Sequence, residues 1–233
     1  MRSLRVSPAS GVLAVAIVVA FTALGARALQ GAAQAPAAPA PPQQPSDIAA
    51  TITGEGGQAP RLALPEFIAV TKDAETTAIA RSITQVLFDD LTFEREFALL
   101  PRDTYATVPP ATSFADVPFD RWRELNADGV VIGLVQKMPT GVKIEVRLFN
   151  VRTRQSAFGK EYSGAATNPR LYAHTASDDL HQTRALRGVA RTKLVFDSDR
   201  DGERVAGSIE NRSVKEIYIS DYDGENQRRV TVG

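Results

Sequence analysis

Cysteine is missing altogether from the 233 residues. Its absence excludes disulfide scaffolds, thiolate zinc sites, cysteine nucleophiles, iron–sulfur clusters and lipidation at cysteine, and it removes any redox inference about compartment. The sequence also lacks a G-x-S-x-G elbow, a G-x-G-x-x-G loop and a G-x-x-x-x-G-K-[ST] loop, so the usual signatures of serine hydrolysis and nucleotide binding are not there. An excess of positive charge is missing as well. Basic and acidic residues number 27 each, but Arg2, Arg5 and Arg27 lie in an opening stretch of 35 residues that holds no acid. Removing those three leaves 24 basic against 27 acidic side chains. Nonspecific binding of phosphate backbones depends on clustered Lys and Arg with counterion release, which makes nucleic acid a poor partner.

The opening stretch reads as an export signal. A basic start, Met1 to Arg5, precedes an apolar run from Gly11 to Ala26 and the small-residue site Ala26-Arg27-Ala28. The expectation is a signal peptide over 1–28, cleaved after Ala28, and a periplasmic product with no membrane span. The alternative is an uncleaved anchor, against which the run is short, since a span needs about 20 apolar residues. Residues 29–60 are rich in Ala, Pro and Gly. Such side chains cannot bury enough surface to fold, so this segment is expected to be an extended linker.

From Arg61 the pattern changes to alternating and helical periodicities. Leu62, Leu64, Phe67 and Ile68 suggest an extended segment, in which Pro65 implies an edge position or a bulge. Asp73 can cap a helix whose Ile79, Ile83, Leu87 and Leu91 share one face through about Thr92. A short strand over Phe97 to Leu100 and a short helix over Pro118 to Asn126, with Trp122 inward, follow. Val130 to Val135 is apolar on both faces, as a covered central strand requires. After the turn at Met138-Pro139-Thr140-Gly141, Val142, Ile144, Val146 and Leu148 alternate with Lys143, Glu145 and Arg147, which predicts a half-exposed partner strand. Gln155 to Tyr162 adds another strand, and a helix over about Pro169 to Leu186 carries Tyr172, Ala176 and Leu180 at four-residue spacing. Residues 61–190 therefore predict an α/β domain, with two main helices on a mixed four- to five-stranded sheet.

Residues 191–233 are written differently. Short strands at Lys193 to Phe196, Glu216 to Ile219 and Arg228 to Thr231 are separated by the Asp201-Gly202 and Asp223-Gly224 turns. The ordered set Ser198, Asp199, Asp201, Gly202, Glu216, Ile217, Tyr218, Asp221, Asp223, Gly224, Asn226, Arg228, Arg229 and Thr231 resembles one repeat of a TolB-type β-propeller. The preceding strand–helix opening, central meander and helix with Ala173-His174 and Asp178 are similar to the N-terminal α/β domain of the TolB family. The resemblance implies a non-enzymatic, periplasmic protein of the Tol–Pal envelope system that supports outer-membrane integrity and division. It also implies a TolA-like inner-membrane partner for the N-terminal segment. Only one repeat is present, which puts binding of a Pal-like lipoprotein in doubt. A lone repeat cannot bury its own faces, so the expectation is either a truncated relative or a hairpin docked on the α/β domain.

Candidate site residues follow from the same pattern. An extended segment with an open edge can accept a partner strand, which nominates Arg61, Leu62, Leu64, Glu66 and Phe67 as partner-binding residues; the alternative is that residues 61–70 are satisfied within their own sheet. Asp197, Asp199, Asp201 and Gly202 match the first half of a calcium loop, but Ser208 stands where a twelfth-position Glu is needed. Solvated turn carboxylates are the favoured reading over a calcium- or metal-binding propeller fragment. His174, Asp178 and His181 share one helical face, about 200° round from the Tyr172 stripe, and are expected to point to solvent without holding a metal. Arg184, Arg187, Arg191 and Lys193 are expected to be a solvated basic run. No cofactor is expected.

Overall fold

The computed structural model describes residues 58–203 and 214–231. The expected signal peptide, nearly all of the expected linker and residues 204–213 lie outside the described residues. Among the described residues no helix is long and apolar enough to cross a membrane.

The first extended segment is split in two, β1 (Arg61–Ala63) and β2 (Ile68–Ala69), both parallel to β4 (Gly129–Met138). Ala63 pairs with Val130 and Ile68 with Leu134, so four residues on one strand oppose three on the other. Pro65, which has no N–H to give a ladder, sits in this bulge. The outer side of β1 is taken by β3 (Ala98–Leu99), which pairs with it in parallel, Leu62 opposite Leu99. The expected open edge at residues 61–63 is therefore absent. β3 is only two residues long, too short to announce itself by alternation.

Helix α1 (Ala74–Glu94) begins at Asp73, whose carboxylate accepts the Thr76 N–H at 2.9 Å, and stops at Arg95, which turns left-handed at φ 59°. Its Ile79, Ile83, Leu87 and Leu91 are buried against the sheet. A 3₁₀ helix (Arg102–Thr107) and the short α2 (Phe119–Glu124) cover the opposite face, where Trp122, Val130, Ile132 and Phe149 form a second core. β4 is thus covered on both faces, with Val131 and Val135 in the helix-side core and Val130 and Ile132 in the other.

β4, β5 (Gly141–Asn150) and β6 (Ser156–Gly164) form an antiparallel meander, completing the path β3-β1-β4-β5-β6. Helix α3 (Pro169–Gln182) packs beside α1 on this sheet. Asn168 caps it and Pro169 opens it; its end lies four residues short of the predicted Leu186, where Leu186 N–H turns back to the His181 carbonyl. A separate antiparallel sheet is built from β7 (Lys193–Ser198), β8 (Glu216–Asp221) and β9 (Arg228–Arg229) in that spatial order.

Candidate interaction site

Leu62, Leu64 and Phe67 are buried, at 0%, 1% and 3% exposure, so they cannot present themselves to a partner in this conformation. The backbone donors of the bulge are also occupied. Leu64 N–H donates to the Tyr105 hydroxyl and Phe67 N–H to Thr84 Oγ1, both at 2.9 Å. A buried amide must find a partner, and the bulge, having left the ladder, takes side-chain oxygens from the helix and the 3₁₀ segment. Phe67 lies flat against β4 where Gly133 offers no side chain; a Cβ there would stand 2.1 Å from the ring. Arg61 and Glu66 remain exposed, Glu66 paired with Arg81 of α1 at 2.8 Å across solvent.

The bulge nonetheless forms one wall of a cleft. About 590 Å³ opens between Leu64, Pro65 and Ile68 on one side and Tyr105, Pro109 and Trp122 on the other, with Arg81 and Arg102 beside them. Tyr105 meets Trp122 edge-on at 5.2 Å between ring centres, and burial pushes the Tyr105 phenol pKa upward. The indole Nε1–H of Trp122 has no acceptor among the described residues. Such a concave, largely apolar wall suits an apolar or proline-rich segment.

The second polar concentration lies where the C-terminal sheet meets the helices, and it reverses an expectation. His174, Asp178 and His181 are buried, at 3%, 5% and 1% exposure, not turned to solvent. Helical periodicity correctly separates their face from the Tyr172 stripe, but α3 is covered on that face too. His174 Nδ1 meets Asp90 Oδ2 of α1 at 2.8 Å. His181 Nδ1 meets the Ser177 carbonyl at 2.8 Å, and its Nε2 faces Glu94 at 3.5 Å. Burial raises the Glu94 pKa, with His181 working in the opposite direction. Asp178 accepts the Ala190 N–H and pairs with Arg191, so the three residues serve three different contacts and do not converge on one ligand.

The turn after β8 closes this seam. Tyr222 donates to Asp90 Oδ1 at 2.6 Å, its ring edge-on to both Phe93 and His174, and Arg170 pairs with Asp223. Burial and the Asp90 carboxylate push the Tyr222 phenol well above its ordinary value. Asp221, despite burial, is held below the ordinary carboxylate range by Lys193 and Asn226. Of the basic run, Arg184 donates to the Glu96 carbonyl, Arg191 binds Asp178 and Lys193 binds Asp221, so these three are structural contacts.

The calcium-loop carboxylates do not converge either. Asp197 pairs with Lys215, and Asp201 accepts from Tyr218 and Arg229. Asp90, Glu94 and Tyr222 were not singled out by the sequence, and Asp223 only as part of a turn, although one signal existed for the two acids of α1. Asp90 and Glu94 continue the Ile83, Leu87 spacing, placing carboxylates on a buried stripe.

Comparison with known proteins agrees with this architecture. A family model described as the TolB amino-terminal domain matches residues 48–157. The Tol-Pal system protein TolB of Desulfosudis oleivorans is 28% identical over 173 residues, 73% of this chain and 37% of the relative. That of Geobacter sulfurreducens is 31% identical over 159 residues, 68% of this chain and 34% of the relative. The chain thus spans about a third of the length of these curated relatives. The crystal structure of TolB from Acinetobacter baumannii superposes with a TM-score of 0.54 at 17% identity, covering 74% of this chain and 38% of that one. With a strand–helix opening, a covered β4 and a central meander, residues 48–157 of this chain are a TolB amino-terminal domain.

Proposed function

We propose that the protein is a periplasmic interaction component of the Tol–Pal envelope system, supporting outer-membrane integrity and cell division by binding and not by catalysis. The observation that carries this reading is the match of residues 48–157 to the TolB amino-terminal domain. The basic start, apolar run and Ala26-Arg27-Ala28 site of residues 1–28, read as an export signal, support the compartment. The partner proposed is a TolA-like inner-membrane protein, engaged by the N-terminal segment together with the exposed side chains at the mouth of the cleft. Of the sequence-nominated residues, Arg61 and Glu66 are exposed and so available to such a partner, while Leu62, Leu64 and Phe67 are buried.

A pull-down with the periplasmic part of a TolA-type protein tests this. The intact chain should capture it, a version lacking residues 29–57 should capture less, and Glu66→Lys should weaken capture without lowering the melting temperature. Undiminished capture by both variants would remove the N-terminal segment and the cleft mouth from the interface. No capture by the intact chain would overturn the partner assignment.

A further inference from the structure

The polar groups around the cleft between the bulge and the 3₁₀ helix are already engaged. Leu64 N–H and Phe67 N–H are taken by Tyr105 and Thr84, and the Tyr105 hydroxyl donates in turn to the Leu100 carbonyl at 3.1 Å. The outer side of β1 is taken by β3, and β2 is only two residues long. A segment entering the cleft therefore finds no strand edge of useful length to extend. A polyproline II segment asks for none. It keeps its backbone solvated and lays its rings on apolar and aromatic walls, here Ile68, Tyr105 and Pro109 with Trp122 beneath. A fatty acyl chain gains most where water is excluded on all sides, and this mouth is bordered by exposed Pro109, Pro110 and charged side chains.

The rim adds a charge preference. Arg102 donates from Nη1 to Gln85 Oε1 at 2.7 Å and from Nη2 to the Thr84 carbonyl at 3.3 Å, and its guanidinium lies over the Phe88 ring, 4.2 Å from the centre. These contacts hold the group in place without neutralising it, for no carboxylate among the described residues pairs with Arg102. Beside it, Arg81 shares the exposed Glu66, so the cleft mouth carries two arginines against one acid. A cation already ordered by its neighbours loses little freedom on meeting a carboxylate, and arginine can receive one with two parallel N–H bonds.

We propose that the cleft receives a proline-rich, acidic segment of a partner protein, docked in the polyproline II conformation with Arg102 pairing to its carboxylate. Prolines supply the apolar contact and the acid fixes the register along the groove.

The test titrates the full chain by calorimetry with a synthetic peptide of Pro-Pro-Glu repeats. Saturable binding is expected, weaker at high salt. Pro-Pro-Lys repeats should not bind, and Gly-Ser-Glu repeats, equally acidic but flexible, should bind about tenfold more weakly. Arg102→Gln should weaken binding about fivefold, and Arg102→Lys, which keeps the charge, should lose less. Ala106→Glu adds a carboxylate at an exposed position of the mouth and should also weaken binding while leaving the melting temperature near that of the parent. Glu66→Lys removes the acid that competes for Arg81 and should tighten the peptide, the opposite of its expected effect on TolA-type capture, so the two assignments stand or fall separately. No binding of Pro-Pro-Glu repeats, equal binding of the lysine peptide, indifference to both Arg102→Gln and Ala106→Glu, or displacement of the peptide by decanoate would overturn the proposal.

Discussion

At residue scale, position 64 illustrates how an apolar residue next to a proline can be read as an open edge when it is a buried bulge. Leu64 was expected at an open strand edge, yet it is 1% exposed and its N–H is held by Tyr105. Leu64→Asp should therefore cost about 3 kcal/mol or more by burying an unpaired carboxylate, read as a lowered urea midpoint, whereas Glu66→Lys on the exposed side should change stability by less than about 0.5 kcal/mol. Equal midpoints for the two would contradict the burial of Leu64. Gly133 makes a sharper test. Its alanine variant drives a methyl into the Phe67 ring and should cost about 1–3 kcal/mol, recovered in part when Phe67 is shortened to Leu in the same chain. Nothing in the sequence around Gly133 announces this contact, because it depends on a bulge 66 positions earlier in the chain.

At element scale, periodicity was a good guide wherever one face meets one core. The buried stripe of α1 and the in–out alternation of β5 were legible because each element packs against a single layer. Helix α3 was misread because it has neighbours on several sides: the sheet beneath, α1 beside it, and the Tyr222 turn over His174. A helical wheel separates faces but does not count the partners that cover them. The seam also sets a pH response. Asp221 titrates below its ordinary 3.8 when folded, so near and below that pH the unfolded chain takes up more protons and stability falls as acid is added. Tyr222 titrates above its ordinary 10.0 when folded, so above pH 10 the unfolded chain loses its proton first and stability falls again. Thermal melts across pH should show Tyr222→Phe lacking the Tyr222 share of the alkaline loss. The same variant should be less stable at neutral pH by about 1–2 kcal/mol, since Asp90 loses a buried donor.

At the scale of the whole molecule, the two sheets are unequal. The meander is sealed on its helix side by two helices, and β4 is covered on both faces. The C-terminal sheet keeps Val195, Ile217 and Val230 exposed and relies on polar contacts to the helices. Hydrogen exchange should accordingly release the amides of β8 at a lower opening free energy than those of β4 and β5. Simultaneous exchange of the two sets would mean that the seam welds them into one cooperative unit. Tryptophan occurs once in this chain, at the floor of the cleft, packed against Tyr105 with its indole N–H unanswered. The protein therefore carries its own optical probe: light absorbed at the red edge is emitted from one place only, and any segment that enters the cleft and packs on that ring must change the colour or yield of the emission, with no label attached.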